Sequence, residues 1–290
     1  MGHDHDHDHD HGTGHRLAEA GTGADALAWV LFDVLAAVAL GAAAVAYAAG
    51  MWRASHRSPW SARRAVAWYL GLVLAAAGLL GPLAAEARSG FTAHMAVHLL
   101  VGMVAPLLLV LGAPVALTLR ALPVGRARSL TRVLRGQVVR AVTHPVLAAT
   151  LNAGGMWLLY TTDLYRLMHT SALLHGVVHA HIFLAGYVLT ASLVGRDPDP
   201  HRSPVAVRAG VLIVFIAAHS VLAKWLYAHP PAGVDLADGR VGAQLMYYGG
   251  DVVDVIIIVL LLAGWYTSTD PRRRRASYPP SGQVSKAASG

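Results

Sequence analysis

Apolar residues in this chain come in long uninterrupted blocks separated by short polar, arginine-bearing stretches, and neither a period of two nor a narrow amphipathic stripe dominates. Continuous blocks of this length read as membrane helices rather than strands, because a helix needs about 20 mostly apolar residues to cross a hydrocarbon core of about 30 Å. Seven stretches qualify, near Ala26 to Gly50, Arg64 to Ala84, Ala93 to Leu119, Ala141 to Thr161, Ala172 to Val194, Val205 to Ala228 and Gly242 to Tyr266. The expected fold is therefore an all-α membrane protein, a seven-helix transmembrane bundle spanning 26–266. It is flanked by a His/Asp-rich tail over 1–25 and a disordered basic tail over 267–290.

Orientation follows from the arginines, since positive residues in short loops stay on the cytoplasmic side. The loops after the first, third and fifth stretches carry Arg53 to Arg64, Arg120 to Arg140 and Arg196 to Arg208, and the C-terminal tail carries "RRRR" at Arg272 to Arg275. The opposite side holds only Arg16, Arg88, Arg166 and Arg240. The pattern predicts an N-terminus outside and a C-terminus in the cytoplasm, in a multi-pass protein of a plasma membrane.

Composition agrees and removes one function class. The 290 residues are 55% hydrophobic and 13% charged, which is the membrane class. The net charge of +7 is distributed as topology demands, so it argues for a lipid bilayer and not for nucleic acid as a partner. No basic region precedes the first apolar block, so that block is expected to stay as a span and not to be cleaved as a leader. Cysteine is absent, and any metal site must be built from imidazole, thioether, carboxylate, phenol or backbone.

Two tracts carry candidate chemistry. The first, "MGHDHDHDHDHGTGHR", interleaves His3, His5, His7, His9, His11 and His15 with aspartates. A His-rich run is a compositional signature of metal binding, and the tract reads as an outward-facing metal-capturing tail, with a purification tag as the alternative. The second lies within the membrane. "HMAVH" puts His94 and His98 on one helix face, and "HGVVH" does the same for His175 and His179. Depth assignment sets both pairs in the outer half of the bundle, with His219 on a further helix. His181 points away from His179. "YYGGDVVD" lines up Tyr247, Asp251 and Asp254 as additional ligands or supporting groups, with Met95 beside His94 as a thioether.

A single histidine in a span often does no more than bond to a neighbouring helix, for about 0.6 to 2 kcal/mol. Several ionisable groups at one depth are costly enough to mark function. Imidazoles without thiolate suit copper or zinc, and the affinity order favours copper where it is available. A membrane-embedded metal-dependent enzyme and a haem-binding membrane protein with axial histidines remain alternatives. The sequence contains no nucleophile elbow, phosphate loop or nucleotide fingerprint, so an enzyme is not the expected reading.

The run "FTAHMAVHLLVGMVAPLLLVLGAPVAL" resembles the signature of the CtaG family of bacterial cytochrome c oxidase assembly proteins, and "LLHGVVHAHIFLAGYVL" is similar to that family's second histidine-bearing helix. The resemblance extends from about Phe91 to Tyr266. It implies a membrane protein that helps assemble a haem-copper oxidase, with copper reaching an oxidase subunit in the same membrane, and it carries His94, His98, His175 and His179 as the residues that match. The last span departs from the family pattern at "GAQLMYYGGDVVD".

Overall fold

The computed structural model describes residues 11–56 and 59–269, with side chains from residue 26 onward. The tract holding His3, His5, His7 and His9, the side chains of His11 and His15, and residues 270–290 lie outside the described part. All regular structure among the described residues is helical.

Helix α1 runs His11–Ser55 and α2 Ala62–Leu79, followed by the short α3, Pro82–Glu86. The third apolar stretch is a broken rod. It begins with α4, Phe91–Leu99, passes through a π-helical turn at Leu100–Val104, and continues as α5, Ala105–Leu111, and α6, Pro114–Ala121. Two short helices follow, α7 at Val124–Leu134 and α8 at Gln137–Val142. The chain then forms α9, Pro145–Thr161, α10, Leu164–Thr170, α11, Ala172–Val194, α12, Val205–Ala228, and α13, Leu236–Thr269.

Six rods are long and apolar enough to cross a membrane: Ala26–Ser55, Ala62–Glu86, Phe91–Ala121, Ala172–Val194, Val205–Ala228 and Leu236–Thr269. The stretch expected to span from Ala141 starts later, at Pro145, because the chain breaks after α8 and proline is well placed at the first position of a helix. The resulting α9 has 17 residues, which is the lower end of the length that spans a bilayer. At the other end of the chain, α13 continues to Thr269, past the expected end at Tyr266.

The breaks have local causes. Gly81 sits at φ 83° directly before Pro82, a left-handed backbone that glycine adopts without steric cost. Pro106 has no N–H to offer the Gly102 carbonyl one turn back, and the backbone widens there so that the Ala105 N–H reaches Leu100 O. Ala113 is left-handed at φ 50°. The following turn is held by Asp197, whose carboxylate accepts from the backbone N–H groups of Val115 (3.2 Å) and Ala116 (2.7 Å). Burial raises the Asp197 carboxyl above its usual range, and the two amides pull it back down.

The third rod is the most enclosed of the six. It packs against α2, α11 and α13, and the main core joins it to α9, α11, α12 and α13 through Met95, Leu99, Met156, Leu222, Met246 and their neighbours. Gly102 and Gly186 allow the closest approach, since a Cβ on Gly186 would overlap the Gly102 carbonyl oxygen. α1 stands at the edge and exposes Leu27, Val30, Leu31, Val34, Leu35 and Val38. An apolar outer surface of that extent is the surface lipid covers.

Candidate metal centre

His94 and His98 sit one turn apart on α4, which begins at Phe91 after Gly90. The start of α4 is fixed from across the chain: Asp238 accepts from the Phe91 N–H at 2.6 Å and the Thr92 N–H at 3.1 Å. A carboxylate on these otherwise unpaired donors caps the helix and complements its dipole. His175 and His179 sit one turn apart on α11, whose first turn is capped by the Ser171 hydroxyl accepting from Leu174 N–H. His219 comes from α12. All five histidines are buried.

The five converge as a chain of rings. His175 and His179 stack at 4.0 Å between centroids, His179 meets His94 edge-on at 6.2 Å, and His98 lies parallel to His219 at 6.3 Å. Gly250 of α13 makes room for the last of these, because a Cβ there would come within 2.5 Å of the His219 ring. As the side chains stand, no group of three or more histidine, aspartate or glutamate residues among the described ones is close enough to hold a single metal ion. The arrangement is a row of imidazoles spread over three helices, and not a closed coordination cage.

Hydrogen bonding sets which nitrogens are free. The His179 Nδ1–H donates to the His175 carbonyl at 3.0 Å, and a nitrogen that donates to a carbonyl leaves Nε2 with its lone pair. His94 Nε2 is 3.1 Å from the Tyr160 hydroxyl, which also reaches the Met95 sulfur at 3.9 Å. Both ring nitrogens of His98, Nε2 of His219 and Nδ1 of His175 are buried without a hydrogen-bond partner among the described residues. Buried polar atoms are nearly always paired, so unpartnered imidazole nitrogens are positions that a water or a ligand can satisfy. A cavity of about 10 Å³ lies beside His98 and His219, with Met103, Met156 and Asn152 on its wall. That is about the space one water-sized particle needs.

Other residues singled out by sequence are placed less centrally. His181 turns to α9, where its Nε2–H donates to Leu151 O at 3.2 Å, although its ring still borders the same cavity. Tyr247 faces α12, with the Lys224 ammonium 5.2 Å from its ring centre. Asp254 is buried with neither oxygen hydrogen-bonded among the described residues, one turn along α13 from Gly250, and Asp251 near it is half-buried.

Further groups stand against the row. Tyr165 and His169, one turn apart on α10, bring rings to 5.1 Å and 6.0 Å from His94. The His169 Nδ1–H donates to Tyr165 O at 2.7 Å, which again leaves Nε2 free. Burial pushes the Tyr165 hydroxyl well above its usual range, so it stays protonated. From α1, Trp29 and Phe32 pack edge-on against His175 at 4.9 Å and 5.3 Å. Arg88 lies over Trp29 and pairs with Asp33 at 3.1 Å. The one-turn spacing in "LYRLMHT" was visible in the sequence; the inward swing of α10 was not.

Comparison with known proteins supplies the decisive observation: the cytochrome c oxidase caa3 assembly factor (Caa3_CtaG) family matches residues 45–268. The chain belongs to that family. The matched region begins in the second half of α1 and contains every histidine of the buried row.

Uncharacterized proteins of Mycobacterium bovis and Mycobacterium tuberculosis are each 31% identical over 215 residues, which cover 71% of this chain and 32% of theirs. One from Mycobacterium leprae is 30% identical over 197 residues, covering 65% of this chain and 30% of its own. The chain therefore spans about a third of the length of the curated relatives it matches. No solved structure matches it. Membership of the caa3 assembly-factor family thus rests on sequence across most of the chain, and it accords with a helical protein bearing six apolar rods.

Proposed function

We propose that this chain is a non-enzymatic assembly factor that carries copper within a bacterial plasma membrane and passes it to a cytochrome c oxidase subunit in the same bilayer. In this reading copper is cargo, with zinc as the alternative ion. The observation that carries it is the pair His98 and His219, which face each other beside a cavity of about 10 Å³ with three buried nitrogens that have no hydrogen-bond partner among the described residues. Neutral imidazoles next to the Met103 and Met156 thioethers form a donor set that suits cuprous copper.

The open row gives the reading its physical sense. A carrier must release what it binds, and imidazoles drawn from α4, α11 and α12 with no carboxylate in the row favour incomplete, exchangeable coordination over a permanent site. His175 and His179, at the α1 side, are the receiving end, followed by His94 and His169, with His98 and His219 deeper along the rods. The His-rich tail captures metal ahead of them. α9 serves as a seventh span, which places the N-terminus outside and the arginine-bearing loops in the cytoplasm.

Copper content of the detergent-purified full-length protein tests the proposal. Replacing His94, His98, His175 and His179 together by alanine is expected to remove bound copper beyond what the tail holds. Unchanged stoichiometry contradicts it.

A further inference from the structure

The segment joining the third rod to α9 has a feature that metal handling does not use. α7 and α8 contain no buried residue, although the helices on either side are embedded in the bundle. Because α6 ends an apolar rod and α9 begins the next apolar helix, α7 and α8 are tethered at both ends to the same surface of the bundle.

Helical spacing sorts the residues of α7. Val124, Ala127, Leu130, Thr131 and Leu134 share one arc. Arg128, Arg132 and Arg135 follow at spacings of four and three along one flank of that arc, and Arg126 lies on the other. An apolar arc edged by arginines is the pattern of a helix that lies in the plane of a membrane surface. A cleft of about 480 Å³ opens between α6 and α7, floored by Leu119, Leu122 and Val124 and edged by Arg128, Arg132 and Arg135. The sequence has no acidic residue between Glu86 and Asp163. None of these three arginines forms an ion pair with a described residue.

We propose that this cleft binds an anionic phospholipid, with the phosphate held by Arg128, Arg132 and Arg135 and an acyl chain against Leu119, Leu122 and Val124. Charge complementarity selects the headgroup, since three arginines with no acidic partner among the described residues line one cleft at the end of an apolar rod, where a lipid phosphate of the adjoining leaflet can reach them. The apolar floor selects a lipid over a free anion. The bound lipid anchors the α7–α8 segment to the bilayer and fixes the end of the rod that carries the histidines.

The test uses the full-length protein in a neutral detergent, with native mass spectrometry reading bound phosphatidylglycerol, phosphatidylcholine and inorganic phosphate at equal concentrations. Phosphatidylglycerol adducts are expected on the wild type, with little phosphatidylcholine and no competition from inorganic phosphate. The R128Q/R132Q/R135Q variant is expected to bind phosphatidylglycerol on the order of a hundredfold more weakly, at about fivefold per arginine, while R128K/R132K/R135K retains most of the binding. Equal binding of phosphatidylcholine, displacement by inorganic phosphate, or undiminished binding in the glutamine variant overturns the proposal. Should the triple variant fail to fold, R128Q alone alters one exposed side chain; a loss of about fivefold supports the proposal, and no loss overturns it.

Discussion

Asp238 accepts a hydrogen bond from the Phe91 N–H at 2.6 Å, across 147 positions of chain. The contact ties the start of α13 to the start of α4 and so fixes the height of His94 and His98 relative to the helix that abuts His219. Capping by a carboxylate is worth about 1–2 kcal/mol. Asp238→Ala is expected to lower the thermal unfolding temperature in detergent and to weaken copper retention, whereas Asp238→Asn preserves part of both. An unchanged unfolding temperature in the alanine variant contradicts this role.

Gly250 lies against the His219 ring so closely that a methyl group cannot be added without moving the imidazole. Gly250→Ala is therefore expected to displace His219 from His98 and reduce copper retention while leaving every histidine in the sequence. Copper titration of the variant checks this, and retention equal to wild type would show that the His98–His219 geometry is dispensable.

Part of this was legible in the chain. The one-turn spacing of the two histidine pairs and the turn of His181 away from His179 follow from helical spacing. What spacing alone could not give is the third dimension. Asp238 was an anonymous loop acid until the fold brought it to Phe91, and Tyr247 shared a stripe with the aspartates yet turned to Lys224. Tyr160 and Tyr165 had no sequence signal linking them to His94. The start of α9 at Pro145, in place of the expected Ala141, agrees with the preference of proline for the first turn of a helix.

Asp254 is 2% exposed and neither carboxyl oxygen has a hydrogen-bond partner among the described residues. A buried polar group left unpaired costs about 1–3 kcal/mol. Asp254→Leu is accordingly expected to raise the unfolding temperature, as measured by a thermal scan in detergent. A lower temperature would instead mean that the carboxyl holds a proton or cation on which the bundle depends.

Orientation can be read directly because these 290 residues contain no cysteine. A cysteine placed at Ala232, in the turn before α13, is expected to react with a membrane-impermeant maleimide in intact cells. One placed at Ser129, on α7, is expected to react only after the membrane is opened. The reverse pattern would invert the topology and contradict the proposed direction of copper transfer.

The buried imidazole row, and His98 with His219 above all, is the proposed holder of the cargo. Competition between the full-length protein and a chromophoric cuprous chelator counts the tightly held ions. The wild type is expected to retain at least one more equivalent than the His98→Ala/His219→Ala double variant, whose tail is intact. Equal numbers of tightly held ions in the two proteins would contradict the claim.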